Sequence, residues 1–398
     1  MSMPDQRILL SVPHMGGEEQ EFVAEAFRSN WLSSVGPHID AFEREMADRL
    51  GRDRLTLAVS SGTAAIHLLL RWLGVGTGDR VACSTLTFAG SCFPILYCGA
   101  TPVFLDSEEK SGNLDPALVE EYLAGAAKRG ELPKALIVVH LYGQHADVDP
   151  ILAACERYGV HVIEDAAESL GATYRGRETG TTAHHAILSF NGNKIITTTG
   201  GGMVVSDDPA AIVRMRKWAT QSREPAVEYL HQELGYNYRM SNVLAAIGRG
   251  QLRILDRRVR ERREIFARYQ EAFEDAPGIR MQPEAPWGTH TRWLTVMYID
   301  AARAGIDAPG MIASLDRANI ESRPVWRPMH TQPLFRDAPR VGGDVAERLY
   351  RTGICLPSSS SLTIEQQDRV IAAVHEAVEP RTTARRRVEH VEPVSISA

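Results

Sequence analysis

Lys194 stands between Ser189-Phe190-Asn191-Gly192-Asn193 and the run Thr197-Thr198-Thr199-Gly200-Gly201-Gly202. A free lysine has a pKa near ~10.4 and is a poor nucleophile at neutral pH. Placed among hydrogen-bond donors beside a cofactor, it can instead form a Schiff base with an aldehyde. Pyridoxal phosphate offers such an aldehyde on a ring that draws electrons, and the ring nitrogen then needs an acid. Asp165, 29 residues earlier (194 − 165), is of that type and closes the apolar run before Ala166-Ala167-Glu168. A third feature, Ser60-Ser61-Gly62-Thr63-Ala64-Ala65, joins an apolar run to a helix-like one. Small residues let a ligand approach the backbone, and the first N–H groups of a helix attract phosphate.

Each feature also has a plainer reading. Ser61 or Thr63 can simply cap a helix. Asp165 can cap the element after it, or bind a metal or a ribose. The lysine can sit in a surface turn. Their order favours one shared site, because ligands of open α/β sheets sit outside the carboxyl ends of the strands.

The elements that must hold this site follow from pattern. Apolar runs at Leu55–Val59, Arg80–Ser84, Thr101–Leu105, Ala135–Leu141, Val160–Glu164, Ala186–Phe190 and Met203–Ser206 predict strands. Helix-like stretches lie between several of them, at Ala64–Leu73 and Pro150–Tyr158, the latter stopped by Gly159. Alternation at this spacing predicts right-handed βαβ units and a mainly parallel sheet. Val243–Asp275 predicts one long helix whose charged residues form a solvated face. A second, smaller α/β segment starts at Trp293. We expect a large domain over residues 1–255, a small one over 256–378, and a disordered tail over 379–398.

The 398 residues carry a net charge of −6, which speaks against nucleic acid or an anionic membrane as partner. Five cysteines without a CxxC pair fit reduced thiols in the cytoplasm. No run approaches the ~20 apolar residues of a membrane span, and Ile8–Val12 is too short for a signal segment. No metal site is expected: His184–His185, the adjacent histidine pair, predicts an exposed loop.

Four motifs in this order and spacing are recognisable together: Ser61–Ala65, Glu164–Glu168, Ser189–Lys194 and Gly235-Tyr236-Asn237-Tyr238-Arg239-Met240-Ser241-Asn242. From about Ile8 to Ala377 the chain resembles the DegT/DnrJ/EryC1/StrS sugar-nucleotide aminotransferases. The resemblance implies a fold type I, aspartate aminotransferase-like large domain with a mainly parallel seven-stranded sheet, and a smaller C-terminal α/β domain. It implies pyridoxal 5'-phosphate on Lys194, with Asp165 at the ring nitrogen. It places Gly62, Thr63 and Ser189 at the cofactor phosphate, with Asn237 reaching it from the other subunit of a homodimer. Phe88, by itself a core aromatic, takes the position stacked on the ring, and Glu168 the opposite face.

The narrower likeness is to bacterial enzymes that aminate UDP-4-keto-6-deoxy-N-acetylglucosamine with L-glutamate. It rests on Pro13–Gly17, Ser29–Leu32, Gln221–Glu224, Arg323–His330 and Gly353–Ser358. It implies sugar-nucleotide contacts from Asn30, Trp31, Leu32 and Ser33, and from Arg323, Pro324, Val325 and Trp326, the last of which is by itself as readily a core or dimer-interface tryptophan. Arg323 and Arg327 are candidate diphosphate partners, because a guanidinium binds phosphate oxygens bidentately, and His330 is a candidate polar contact near the sugar. The alternatives are another keto sugar (at C3, or linked to TDP or GDP) and a non-catalytic binding protein. Dehydratase relatives carry histidine in place of the lysine.

Overall fold

The computed structural model describes residues 6–51 and 53–378, so the expected tail at 379–398 lies outside the described residues. The apolar runs form strands β1 (Leu55–Val59), β2 (Arg80–Ser84), β3 (Thr101–Leu105), β4 (Ala135–Val139), β5 (His161–Asp165), β6 (His185–Ser189) and β7 (Gly202–Ser206). They lie in the order β1-β7-β6-β5-β4-β2-β3. All neighbours run parallel except the two pairs that β7 makes. An eighth, two-residue strand, Arg340–Val341, extends the expected seven at the β3 edge, where Asp106 N donates to Val341 O at 3.0 Å.

Helices cover both faces, as a parallel sheet requires. The side chains of β4 alternate accordingly. Ala135, Ile137 and Val139 join the cluster around Leu68 and Leu69 of helix Gly62–Trp72. Leu136 and Val138 join the cluster of Leu123 and Ile151 on the other side. Helix boundaries follow local chemistry. Asp115 accepts from Ala117 N at 2.8 Å ahead of Pro116. Gly159, at φ 68°, ends helix Val148–Tyr158 as its position predicts.

A second sheet is antiparallel, in the order Ile279–Met281, Thr295–Ile299, Gly353–Leu356, Arg323–Pro324. Ile8, near the start of the described chain, bridges to Ile320 and packs in the same cluster as Met297 and Ile354. Among the described residues no helix is long and apolar enough to cross a membrane.

Two expectations need correction. The long helix is two, Asn242–Arg253 and Leu255–Ala272, with Ile254 between them. Its charged face is not wholly solvated, for Arg258 and Arg262, one turn apart, are buried. Their guanidinium groups donate to backbone carbonyls: Arg258 to His14 and Met15, Arg262 to Trp293 and Ser358. The histidine pair is also not a loop. His184 is exposed, but His185 opens β6, pairs in register with Ser206 and bonds its Oγ at 2.9 Å.

Candidate active site

A cavity of about 300 Å³ opens where β1, β5 and β6 end and β7 begins. The turn after β1 supplies Ser60, Ser61, Gly62 and Thr63 to its wall. Ser61 caps the helix, its Oγ accepting from Ala64 N at 3.0 Å. The capping reading was therefore right for this side chain, and it leaves the neighbouring small residues at the cavity. Close packing demands those small residues. A Cβ at Gly202 would lie 2.3 Å from the Ser61 carbonyl carbon, and one at Gly62 would meet Ser189 Cβ at 3.3 Å.

Asp165 closes β5 at the cavity floor. Ser91 Oγ donates to its Oδ2 at 2.6 Å, Ala167 N to its Oδ1 at 3.1 Å, and Thr87 Oγ1 lies 2.5 Å from Ser91 Oγ. Glu168 accepts from Tyr142 N at 2.8 Å and from Trp326 Nε1 at 3.2 Å. Lys194 Nζ stands 3.7 Å from Glu168 Oε1. Burial pushes the Lys194 amine below its ordinary range, against the attraction of Glu168 and Asp165. Burial likewise raises both carboxyls, against hydrogen bonds and the lysine charge. Phe88 is not a core residue: it is 59% exposed, lines the cavity, and lies 5.8 Å from the Trp326 ring.

This donor set fits pyridoxal phosphate. The turn and Ser189 offer small polar groups for a phosphate, Asp165 an acid for a ring nitrogen, Phe88 a ring face and Lys194 an amine for the aldehyde. The family model for DegT/DnrJ/EryC1/StrS aminotransferases matches residues 13–375. The chain belongs to that family. It is a pyridoxal phosphate-dependent aminotransferase. It is 50% identical over 370 residues to EpsN of Bacillus subtilis, named a pyridoxal phosphate-dependent aminotransferase, covering 92% of this chain and 94% of EpsN. It is 38% identical over 374 residues to GDP-perosamine synthase of Caulobacter vibrioides, covering 94% and 98%. The structure of DesI in the presence of its TDP-sugar product superposes with a TM-score of 0.85 at 26% identity, covering 94% and 93%.

The aminotransferase brings Gly62, Thr63, Phe88, Asp165, Glu168, Ser189, Lys194 and Trp326 to one cavity. Other expected residues stand apart from it within one chain. Asn30, Trp31, Leu32 and Ser33 are exposed, on a segment fastened by Asn242, whose Nδ2 donates to Trp31 O and whose N donates to Ser33 O. Asn237 is exposed as well. Arg323 and Pro324 are exposed, and Arg323 pairs with Glu321 at 2.9 Å. The Val325 side chain is buried in the core, while His330 bonds Thr85 at 2.7 Å and Glu347 at 3.2 Å. Sequence reading missed Ser91, Tyr142 and Trp293. Ser91 and Trp293 line the cavity and Tyr142 bonds Glu168, but all three are joined to the site only by contacts distant in sequence.

Glu164, next to Asp165, points to the opposite face of the sheet. It is buried, bonded by His140 Nε2 at 3.0 Å and by Thr182 N and Oγ1. His145 stacks on His140 with ring centroids 3.6 Å apart. Spacing had not flagged this cluster, whose three ligand-type atoms lie within 4.8 Å of one another. Ala146 N donates to His140 Nδ1, which puts the proton on Nε2, toward Glu164. Burial and the neighbouring His145 hold the His140 pKa down to about 4. Burial opposes the Glu164 charge, but the two histidines outweigh it and keep the carboxyl well below its ordinary range.

The unfolded chain binds a proton at His140 near pH 6.5, the folded chain only near 4. Between these values the unfolded state holds more protons, so stability falls as pH falls, and Glu164 continues the decline below its ordinary value. Thermal melts of the cofactor-free protein should show a midpoint dropping from pH 6.5 toward 4. His140→Gln should flatten that drop, and an unchanged slope would contradict this account.

Proposed function

We propose that the enzyme moves an amino group from L-glutamate to the C4 ketone of a UDP-linked 4-keto-6-deoxy-N-acetylhexosamine, as part of glycan or polysaccharide synthesis. The observation that carries amino transfer is Lys194 Nζ at the floor of a cavity that also holds Asp165 and a small-residue phosphate cradle. The bound cofactor supplies an aldehyde for the donor amine and a ring that takes up the electron pair of a broken C–H bond. Asp165, fixed by Ser91 and Ala167, holds the proton at the ring nitrogen. Lys194 Nζ is the base that takes the proton from the donor's α-carbon and returns one in the second half. Phe88 and Trp326 line the cavity with their rings 5.8 Å apart.

Among the described residues that line the cavity, Lys194 is the one cation. The sugar nucleotide's diphosphate therefore needs partners beyond it. Arg323 and Arg327 are exposed and suited to bind phosphate oxygens bidentately. The exposed Asn237, in a stretch that also exposes Tyr229 and Leu234, supports the reading of a homodimer in which one subunit completes the phosphate site of the other.

The UDP reading rests on the motifs around Pro13–Gly17 and Arg323–His330. A GDP-linked sugar is the second reading, favoured by the 38% identity to GDP-perosamine synthase. Mass spectrometry and NMR of products from UDP-, GDP- and TDP-linked keto sugars with glutamate separate them. We expect 2-oxoglutarate and a 4-amino sugar in equal amounts from the UDP substrate, with at least about tenfold higher kcat/KM, which corresponds to about 1.4 kcal/mol. Turnover of the GDP sugar beside an inert UDP sugar would overturn the UDP assignment and leave amino transfer standing.

A further inference from the structure

We propose that Trp293 is a positioning residue for Lys194: its indole face and the Glu168 carboxylate form the station that holds the lysine's free ammonium whenever it is not joined to the cofactor. Lys194 Nζ lies 4.0 Å from the centroid of the Trp293 ring and 3.7 Å from Glu168 Oε1. An ammonium at that distance over an indole is attracted by the ring's negative face, and more strongly where water is excluded. Trp293 is buried, and Lys194 is nearly so.

The indole is held to face the lysine. Its Nε1 donates to Asn193 O at 2.7 Å, so the ring is tied to the residue just before Lys194. Ser11 Oγ donates to the same carbonyl at 3.0 Å. The Trp293 carbonyl in turn accepts from Arg262 Nη1 at 2.5 Å and Ser358 Oγ at 3.2 Å. Tyr142 stacks behind, its ring 6.5 Å away at 26°. Tyr142 and Arg292, the latter adjacent to Trp293, are non-glycine residues at φ 56° and 58°. Such backbone persists where surrounding contacts over-determine it, and it gathers at functional sites.

The charged groups that face the amine are Glu168 and Asp165, and both favour its protonated form. Trp293 adds attraction without a proton of its own. It therefore steadies the ammonium without competing for the proton that Lys194 carries.

The inference rests on Lys194 as the lysine that captures the cofactor. The test uses the full chain stripped of cofactor. Pyridoxal phosphate is added across a pH series, and the growth of visible absorbance is timed. Capture needs the neutral amine, so its rate rises through the Lys194 pKa. Trp293→Leu removes the ring's attraction for the charged form and should lower the midpoint by about one pH unit. Fluorinated tryptophans placed at position 293 keep the shape while draining the ring face, and should lower the midpoint stepwise with fluorine number. This series covers the case in which Trp293→Leu fails to fold, as judged by circular dichroism. A midpoint flat across the fluorinated series would overturn the proposal. Capture that is absent in the wild-type chain, or equal in Lys194→Ala, would instead overturn the reading of Lys194 itself.

Discussion

Lys194→Ala is expected to abolish both turnover and the visible absorbance of the lysine-linked cofactor, with kcat reduced by at least about 10³-fold. Positioned acid–base groups alone contribute roughly 10²–10⁴-fold, and in the proposed function this residue is also the amine that joins the cofactor. The environment supports that double task. Burial lowers the amine's pKa, which increases its neutral fraction near pH 7, while Glu168 at 3.7 Å and Asp165 keep the charged form within reach. Lys194→Arg is the sharper control. It keeps a positive charge in the cavity, yet a guanidinium is never deprotonated in proteins and cannot serve as the base. Both variants should be equally inactive, and only the alanine variant should regain a measurable rate with added small primary amines. Retained turnover in either would remove Lys194 from the chemistry. Normal melting of both proteins would confirm that the fold is not what was lost.

The strands and their order of appearance were legible because each is a short apolar run bounded by turn residues. β4, with all five residues buried, is the plainest case. The cradle, Asp165 and Lys194 were legible because each falls where such a strand ends. The roles of the three acids near 165 were less so, although period-two alternation already separates Glu164 from Asp165. What the pattern could not carry was contact across long separations. Ser91 meets Asp165 over 74 residues, and Trp293 meets Asn193 over 100. Arg258 and Arg262 look like solvent-facing charges in a charged run. They are buried because backbone carbonyls from both ends of the chain converge on them. Composition records none of this, since it counts residue types and not the partners that the fold delivers.

Asp165→Asn should separate function from stability in opposite directions. Turnover should fall by about 10²–10³-fold, the usual cost of removing one preorganised electrostatic group, because a neutral amide cannot hold the ring nitrogen's proton. Folding should not suffer. Asn can keep the local bonds: its Oδ1 still accepts from Ala167 N, and its Nδ2 can donate to Ser91 Oγ, whose own proton then turns to Thr87 Oγ1 at 2.5 Å. The charge term runs the same way. Burial raises the Asp165 pKa above its ordinary 3.8 in the cofactor-free fold, so the unfolded chain releases this proton more readily. Above that raised value the buried carboxylate works against folding, and below 3.8 the penalty vanishes. The cofactor-free Asn variant should therefore melt at or above the wild-type temperature at pH 7, with the advantage fading as pH approaches 3.8. With cofactor bound the order should reverse, because only the carboxylate gains a cationic partner. A variant that melts lower in both states would mean that Asp165 is held for packing and not for the ring nitrogen.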